Sequence, residues 1–264
     1  MSKISKYIAK SPDAKGFIHY TDEEHQIWHD LITTQLPMLK GNACDEYIDA
    51  LQLMNFSSDR IPQLDDVSEI LLDHTGWSVA AVPALIDFTS FFKLLANKQF
   101  PAATFIRNRD EINYLQEPDI FHEIFGHTPL LTDHRFAAFS QAYGEAGLRA
   151  DKRDHCMLAR LFWFTVEFGL IQTRAGLRSY GAGIVSSPGE LVYALNSDLP
   201  ERKPLDPLDA LRTPYRIDIY QTVYFVIDTY DTLFDLAHTD LISLVQQARK
   251  LGMHAPTYPV KEIA

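Results

Sequence analysis

Eleven residues, LFWFTVEFGLI at 161–171, contain a single charge, Glu167. Wound as a helix, Phe162, Trp163, Phe164, Val166 and Phe168 cover nearly every direction around the axis. A helix apolar all round is a core helix, so the rest of the chain has to fold around it. At 264 residues the chain is long enough to do this, because longer chains hide a larger fraction of their surface. The same segment sets a chemical problem. A lone carboxylate among such neighbours carries a large desolvation cost unless an ion or a cationic side chain compensates it. The alternative is a helix position from which Glu167 reaches solvent.

The remaining sequence reads as mainly α with a small β component. Thr21-Asp22-Glu23-Glu24 is a capping box that opens a helix running to about Gly41, and a second helix covers Cys44 to Met54. Asp65 or Asp66 caps a third and Asp87 a fourth; WSVAAVPALI between them is extended, and PAATFI after the fourth is a strand or buried extended segment. Helices are expected over 118–127, 133–148, 154–168 and 230–251, a glycine-punctuated strand or loop over 178–185, a short helix from Pro188, and an apolar strand over 216–227. No repeat, low-complexity tract or Gly/Ser linker interrupts the pattern, so one domain is expected.

The second chemical signal is His122-Glu123-Ile124-Phe125-Gly126-His127, followed at once by Thr128-Pro129. This HExxxH is one residue longer than the zinc-peptidase HExxH. Histidines four apart on a helix of ~3.6 residues per turn lie roughly 40° apart, whereas five apart gives roughly 140°. Both rings can meet one metal only if the helix loosens or ends between them, and Gly126 with Pro129 supplies an ending. Among ten histidines, such a pair is equally readable as structural or exposed. Glu167 tilts the balance. Two imidazoles and one carboxylate form the 2-His-1-carboxylate face, which leaves positions open on Fe(II) for O2. The competing reading is a zinc-dependent hydrolase built on the HExxxH, with Glu123 as general base.

Charge and cysteine count exclude other classes. With 24 Lys+Arg against 35 Asp+Glu the net charge is −11, which argues against a nucleic-acid backbone as partner. Two cysteines, Cys44 and Cys156, are too few for a disulfide framework and too far apart for a closed cysteine-rich zinc site. The N-terminus has no apolar signal region, and no run approaches the ~18 apolar residues of a membrane span. A soluble protein of the reducing cytoplasm, with no membrane partner, is expected.

Four stretches then carry a family resemblance: EPDIFHEIFGHTPLL (117–131), FWFTVEFGL (162–170), SYGAGIVSSPGEL (179–191) and IPQLDDVSEILLDHTGW (61–77). Taken in chain order, with 61–77 first, they resemble the pterin-dependent aromatic amino acid hydroxylases, closest to those of the short bacterial kind. The resemblance implies a single catalytic domain of that type at 21–251, with 1–20 as an N-terminal extension and 252–264 as a tail. It implies Fe(II) held by His122, His127 and Glu167, and a tetrahydrobiopterin or related tetrahydropterin held by Ala84, Leu85 and Ile86, with Phe91 as the stacking aromatic. Glu123 becomes a polar partner of the pterin and of metal-bound water. Arg107, helped by Ser186, takes the substrate carboxylate, with Arg109 as the rival cation. Pro118, Trp163 and Phe168 wall the aromatic ring, although core packing explains Phe91 and Phe168 equally well. Asp119 is an N-cap, an orienter of the ligands, or both. The implied reaction is hydroxylation of L-phenylalanine to L-tyrosine with O2, with tyrosine or tryptophan as alternative substrates; the apolar Ile217 suits an unsubstituted ring. Departures from the animal pattern fall at Leu115, where threonine is usual, at Phe162 for tyrosine and at Ala84 for glycine. With no room for a regulatory domain or a tetramerisation helix, a monomer is expected.

Overall fold

Thr21 does what its motif promises: its hydroxyl accepts from the Glu24 amide and the Glu24 carboxylate accepts from the Thr21 amide, opening helix α1 (Asp22–Leu39). The computed structural model describes residues 7–83, 85–112 and 117–259. Helices α2 (Asp45–Met54) and α3 (Leu64–Thr75) follow, both ending on a left-handed residue, Asn55 and Gly76. Helix α3 begins ahead of the expected cap. Gln63 occupies the cap position while its side chain pairs with the Ile18 backbone, and Asp65 and Asp66 lie in the first turn, where the helix dipole favours anions.

Strand β1 (Ser78–Val82) and strand β2 (Gln99–Ala103) pair in parallel, connected by α4 (Phe88–Ala96), whose N-cap Asp87 accepts from the Thr89 and Ser90 amides. After the site segments described below come α5 (His134–Arg149), capped by Asp133, and α6 (His155–Phe162). Strands β3 (Leu170–Thr173) and β4 (Gly176–Ser179) form an antiparallel hairpin, followed by α7 (Ala182–Val185) and α8 (Pro188–Asn196). Strand β5 (Glu201–Pro204), helix α9 (Pro207–Arg212), strand β6 (Val223–Ile227) and helices α10 (Asp231–Ala237) and α11 (Leu241–Leu251) complete the chain. The second sheet has the order β4-β3-β6-β5, with β3, β5 and β6 parallel.

Three expectations are corrected. The segment 178–185 is the end of β4 plus a short helix, because after Tyr180 the amides of Ile184 and Val185 bond to the Gly181 carbonyl. Only Val223–Ile227 of the expected strand pairs; residues 216–221 are instead committed to side-chain contacts around a cavity. The expected helix over 230–251 is broken where Asp240 caps α11 by accepting from the Ile242 and Ser243 amides.

One continuous core fills the space between the layers. Trp28, Trp77, Tyr47, Phe92, Phe121, Phe125, Phe139 and Phe164 are all fully buried within it. Among the described residues no helix is long and apolar enough to cross a membrane. Residues ahead of α1 also pack: Ile18 is buried, and Tyr7 stacks on Phe105 with ring centroids 4.3 Å apart.

Candidate metal centre and substrate cavity

The five-residue histidine spacing is solved by the backbone. Phe121–His127 is a π-helix, in which i→i+5 bonding brings residues five apart onto one face. The helix therefore loosens between the histidines and does not end there. The expected α-helix over 154–168 makes the same change: α6 stops at Phe162, Trp163–Glu167 is a second π-helix, and the Phe168 amide bonds to the Trp163 carbonyl at 2.8 Å. Glu167 thus sits on the last position of a widened turn. The backbone of Gly181 runs against it so closely that a Cβ there would lie 2.4 Å from the Glu167 carbonyl oxygen.

The two π-helices bring three donors together. The Nε2 atoms of His122 and His127 are 3.1 Å apart, and the Glu167 carboxylate reaches them at 3.4 and 3.2 Å respectively. Donors that share one first-row cation at ~2.1 Å are separated by roughly 3.0–3.4 Å, so the set fits a single ion. The His122 tautomer fits as well. Ser186 Oγ donates to the Ala182 carbonyl at 2.7 Å, so its lone pair takes His122 Nδ1–H at 3.0 Å and Nε2 is left as the acceptor facing the cluster. His127 Nδ1 is buried with no hydrogen-bond partner among the described residues, and the ring lies against Phe100 at 4.7 Å.

Electrostatics separates the two acids. Burial alone would raise the Glu167 carboxyl, but the His127 and His122 imidazoles hold it well below the usual carboxylate range. The carboxyl of Glu123 is also near both histidines, the three groups having donor atoms within 4.8 Å of one another. Burial pushes it up to about 8, leaving it a proton carrier more than an anion. Burial lowers both imidazoles, and the Glu167 carboxylate outweighs that for His122 and not for His127.

A cavity of about 840 Å³ opens beside this cluster, lined in part by His122, Glu167, Arg107, Trp163 and Phe168. Arg107 is buried and gripped by Asp119, whose Oδ2 accepts from the Arg107 amide at 3.0 Å and Nε at 2.8 Å while Oδ1 accepts Nη2 at 2.9 Å. The same Oδ1 takes the His122 amide at 3.1 Å, so Asp119 both caps the first π-helix and orients the cation. Arg109 is at the surface and pairs with Asp30 at 2.9 Å. Pro118, Ser186 and Leu85 also line the cavity. Ile86 is half-buried outside it, and Ala84 lies outside the described residues. Phe91 meets Phe162 edge-on at 5.3 Å, and Phe162 in turn stacks 6.2 Å from His127, placing Phe91 one ring away from the cluster.

One family model, described as biopterin-dependent aromatic amino acid hydroxylase, matches residues 5–250. The chain belongs to that family. It is 54% identical over 262 residues to the phenylalanine-4-hydroxylase of Pseudomonas aeruginosa, covering 99% of this chain and 100% of that one. The fold is similar to the apo structure of the cold-active phenylalanine hydroxylase from Colwellia psychrerythraea 34H, with TM-score 0.94, 52% identity and coverage of 98% and 100%. It is also similar to the Chromobacterium violaceum phenylalanine hydroxylase with bound iron(III) and oxidised cofactor 7,8-dihydrobiopterin, with TM-score 0.88, 41% identity and coverage of 96% and 91%.

Residues that neither motif nor resemblance singled out complete this hydroxylase's cavity wall. Trp163 stacks on Tyr215 at 4.2 Å and donates its indole N–H to Gln221 at 2.9 Å. Gln221 also donates to the Arg216 carbonyl, and its amide meets the Glu190 carboxyl, which accepts from Tyr224 too. The one available signal was the polarity of Gln221 and Glu190 inside apolar runs. Phe168 lies 4.5 Å from Trp163, and a Cβ on Gly183 would come within 2.6 Å of its ring.

Proposed function

We propose that this chain hydroxylates L-phenylalanine to L-tyrosine as an iron- and tetrahydropterin-dependent monooxygenase in which His122, His127 and Glu167 hold the Fe(II). The convergence of two imidazoles and a carboxylate at 3.1–3.4 Å beside a cavity containing a buried arginine carries this reading. When bound, iron and tetrahydropterin supply the activation of O2 and the two electrons it needs.

The chain's own residues bind and orient. Arg107 has five N–H donors, of which two go to Asp119 and one to the Ile112 carbonyl at 3.3 Å, leaving one on each terminal nitrogen for a carboxylate. Ser186 anchors the His122 ring, and its single hydroxyl proton reaches the substrate carboxylate by leaving the Ala182 carbonyl. Trp163 and Phe168, with Pro118, present apolar surface to the ring and exclude water from it. Leu85, Ile86, Phe91 and Ala84 are assigned to the pterin, and the protonated Glu123 carboxyl to its polar edge and to metal-bound water. The zinc-hydrolase reading needs Glu123 as the base beside a zinc ion, and metal analysis separates it from the iron reading.

A monomer in the cytoplasm is part of the same proposal. Both cysteines are free thiols, which suits a reducing compartment, and light scattering in solution tests the oligomeric state. Product analysis with phenylalanine, tyrosine and tryptophan at matched concentration, with and without Fe(II) and tetrahydropterin, tests the reaction. Tyrosine from phenylalanine only when both cofactors are present is expected; amide cleavage by a zinc-loaded protein would overturn it.

A further inference from the structure

Arg107 accounts for one end of an amino acid. The other end is an ammonium on the same carbon, and a cavity shielded from water must give it an acceptor. Four acidic side chains line the cavity: Glu117, Glu167, Glu190 and Asp218. Three are committed. Glu167 faces the two histidines, Asp218 is held in a fork by Arg216 at 2.8 Å on each arm, and Glu190 accepts from Gln221 and Tyr224. Glu117 differs: the side chain is half-buried, and its Oε2 has no hydrogen-bond partner among the described residues.

A buried carboxylate oxygen without a donor weakens the fold unless something else satisfies it. Its position suggests what that is. Glu117 is followed by Pro118, a ring wall, and then by Asp119, which grips Arg107 through three of its N–H groups. The proline fixes its own φ and disfavours helical backbone at Glu117, so Glu117 is held two residues from the aspartate that grips the guanidinium, and both Glu117 and Arg107 line the cavity.

We propose that Glu117 is the ammonium-binding residue of the cavity, taking the α-ammonium of the amino acid while Arg107 takes its carboxylate. The inference rests on the reading of the cavity as an amino acid site and extends it to a residue with which that reading made no contact. It also gives a physical reason for a zwitterion to be preferred over a simple aromatic acid, because only the zwitterion satisfies both side chains.

The test compares L-phenylalanine with 3-phenylpropanoate, which keeps the ring and carboxylate and lacks the ammonium, on iron-loaded protein. Dissociation constants are measured calorimetrically for wild type, Glu117→Gln and Arg107→Lys. Glu117→Gln is expected to weaken L-phenylalanine by about 10- to 100-fold, the size of a charge-assisted hydrogen bond, and to leave 3-phenylpropanoate unchanged or tighter. Arg107→Lys is expected to weaken both. The melting temperature of ligand-free Glu117→Gln should equal or exceed that of wild type, since an unsatisfied charge is removed. If that variant does not fold, Glu117→Asp, which withdraws the carboxylate by one methylene, is expected to show the same selective loss. Equal weakening of both ligands, or of neither, overturns the proposal. Wild type that binds 3-phenylpropanoate and not L-phenylalanine overturns the amino acid reading together with it.

Discussion

Asp119 shows how much a single buried side chain organises here. It accepts four N–H groups, three from Arg107 and one from His122, and the Arg107 guanidinium holds its carboxyl below the ordinary range in spite of burial. Asp119→Asn leaves the guanidinium buried without its counter-charge, so a loss of ~3–5 kcal/mol is expected in denaturant unfolding, with weaker phenylalanine binding in whatever remains folded. Its capping role was legible from a Pro-Asp pair ahead of an apolar run. Its pairing with Arg107, across an irregular segment with no period, was not. Glu190 offers a pH test. Burial raises its carboxyl from 4.5 to about 6, so the folded state holds that proton more tightly than the unfolded state. Stability contributed by this group is therefore greatest at low pH and falls as pH rises from about 4.5 to about 6, by roughly 2 kcal/mol. Urea unfolding of wild type and Glu190→Gln at pH 4.5 and 7 should show wild type losing more stability across that interval; parallel changes would contradict the assignment.

At the scale of elements, the two π-helices are what make three distant residues one site. Glu167 was legible as a lone charge in an aromatic run, and the histidine pair as a motif that an α-helix could not use. The widened turns were not legible, because their cost is set by the tertiary contacts that hold them, such as the close passage of Gly181 over Glu167. Gly181→Ala drives a methyl into that backbone and is expected to cost ~1–3 kcal/mol and to lower metal retention, measured by thermal unfolding and metal analysis. The segment 216–221 misled for a related reason. Its alternating pattern suits a strand, but Gln221 is spent on the Trp163 indole and the Arg216 carbonyl. Gln221→Leu removes the acceptor for a partly buried N–H, and the expected result is a KM for phenylalanine raised several-fold with kcat changed less.

Across the whole molecule, helix caps and hydrophobic periodicity gave the element order from Thr21 to Asp133 nearly intact, because each signal is local. Strand partners, the break before Asp240 and the cavity's aromatic wall depend on contacts far apart in sequence. The net charge of −11 constrains partners and carries no information about the site. The fold is built around a core helix whose single acid completes a metal site. The most direct measurement is iron per chain after anaerobic reconstitution and desalting, for wild type, Glu167→Ala and Glu123→Gln. About one iron in wild type and in Glu123→Gln, with near-complete loss in a folded Glu167→Ala, is the predicted result. Full iron in Glu167→Ala, or its loss only in Glu123→Gln, would contradict the account.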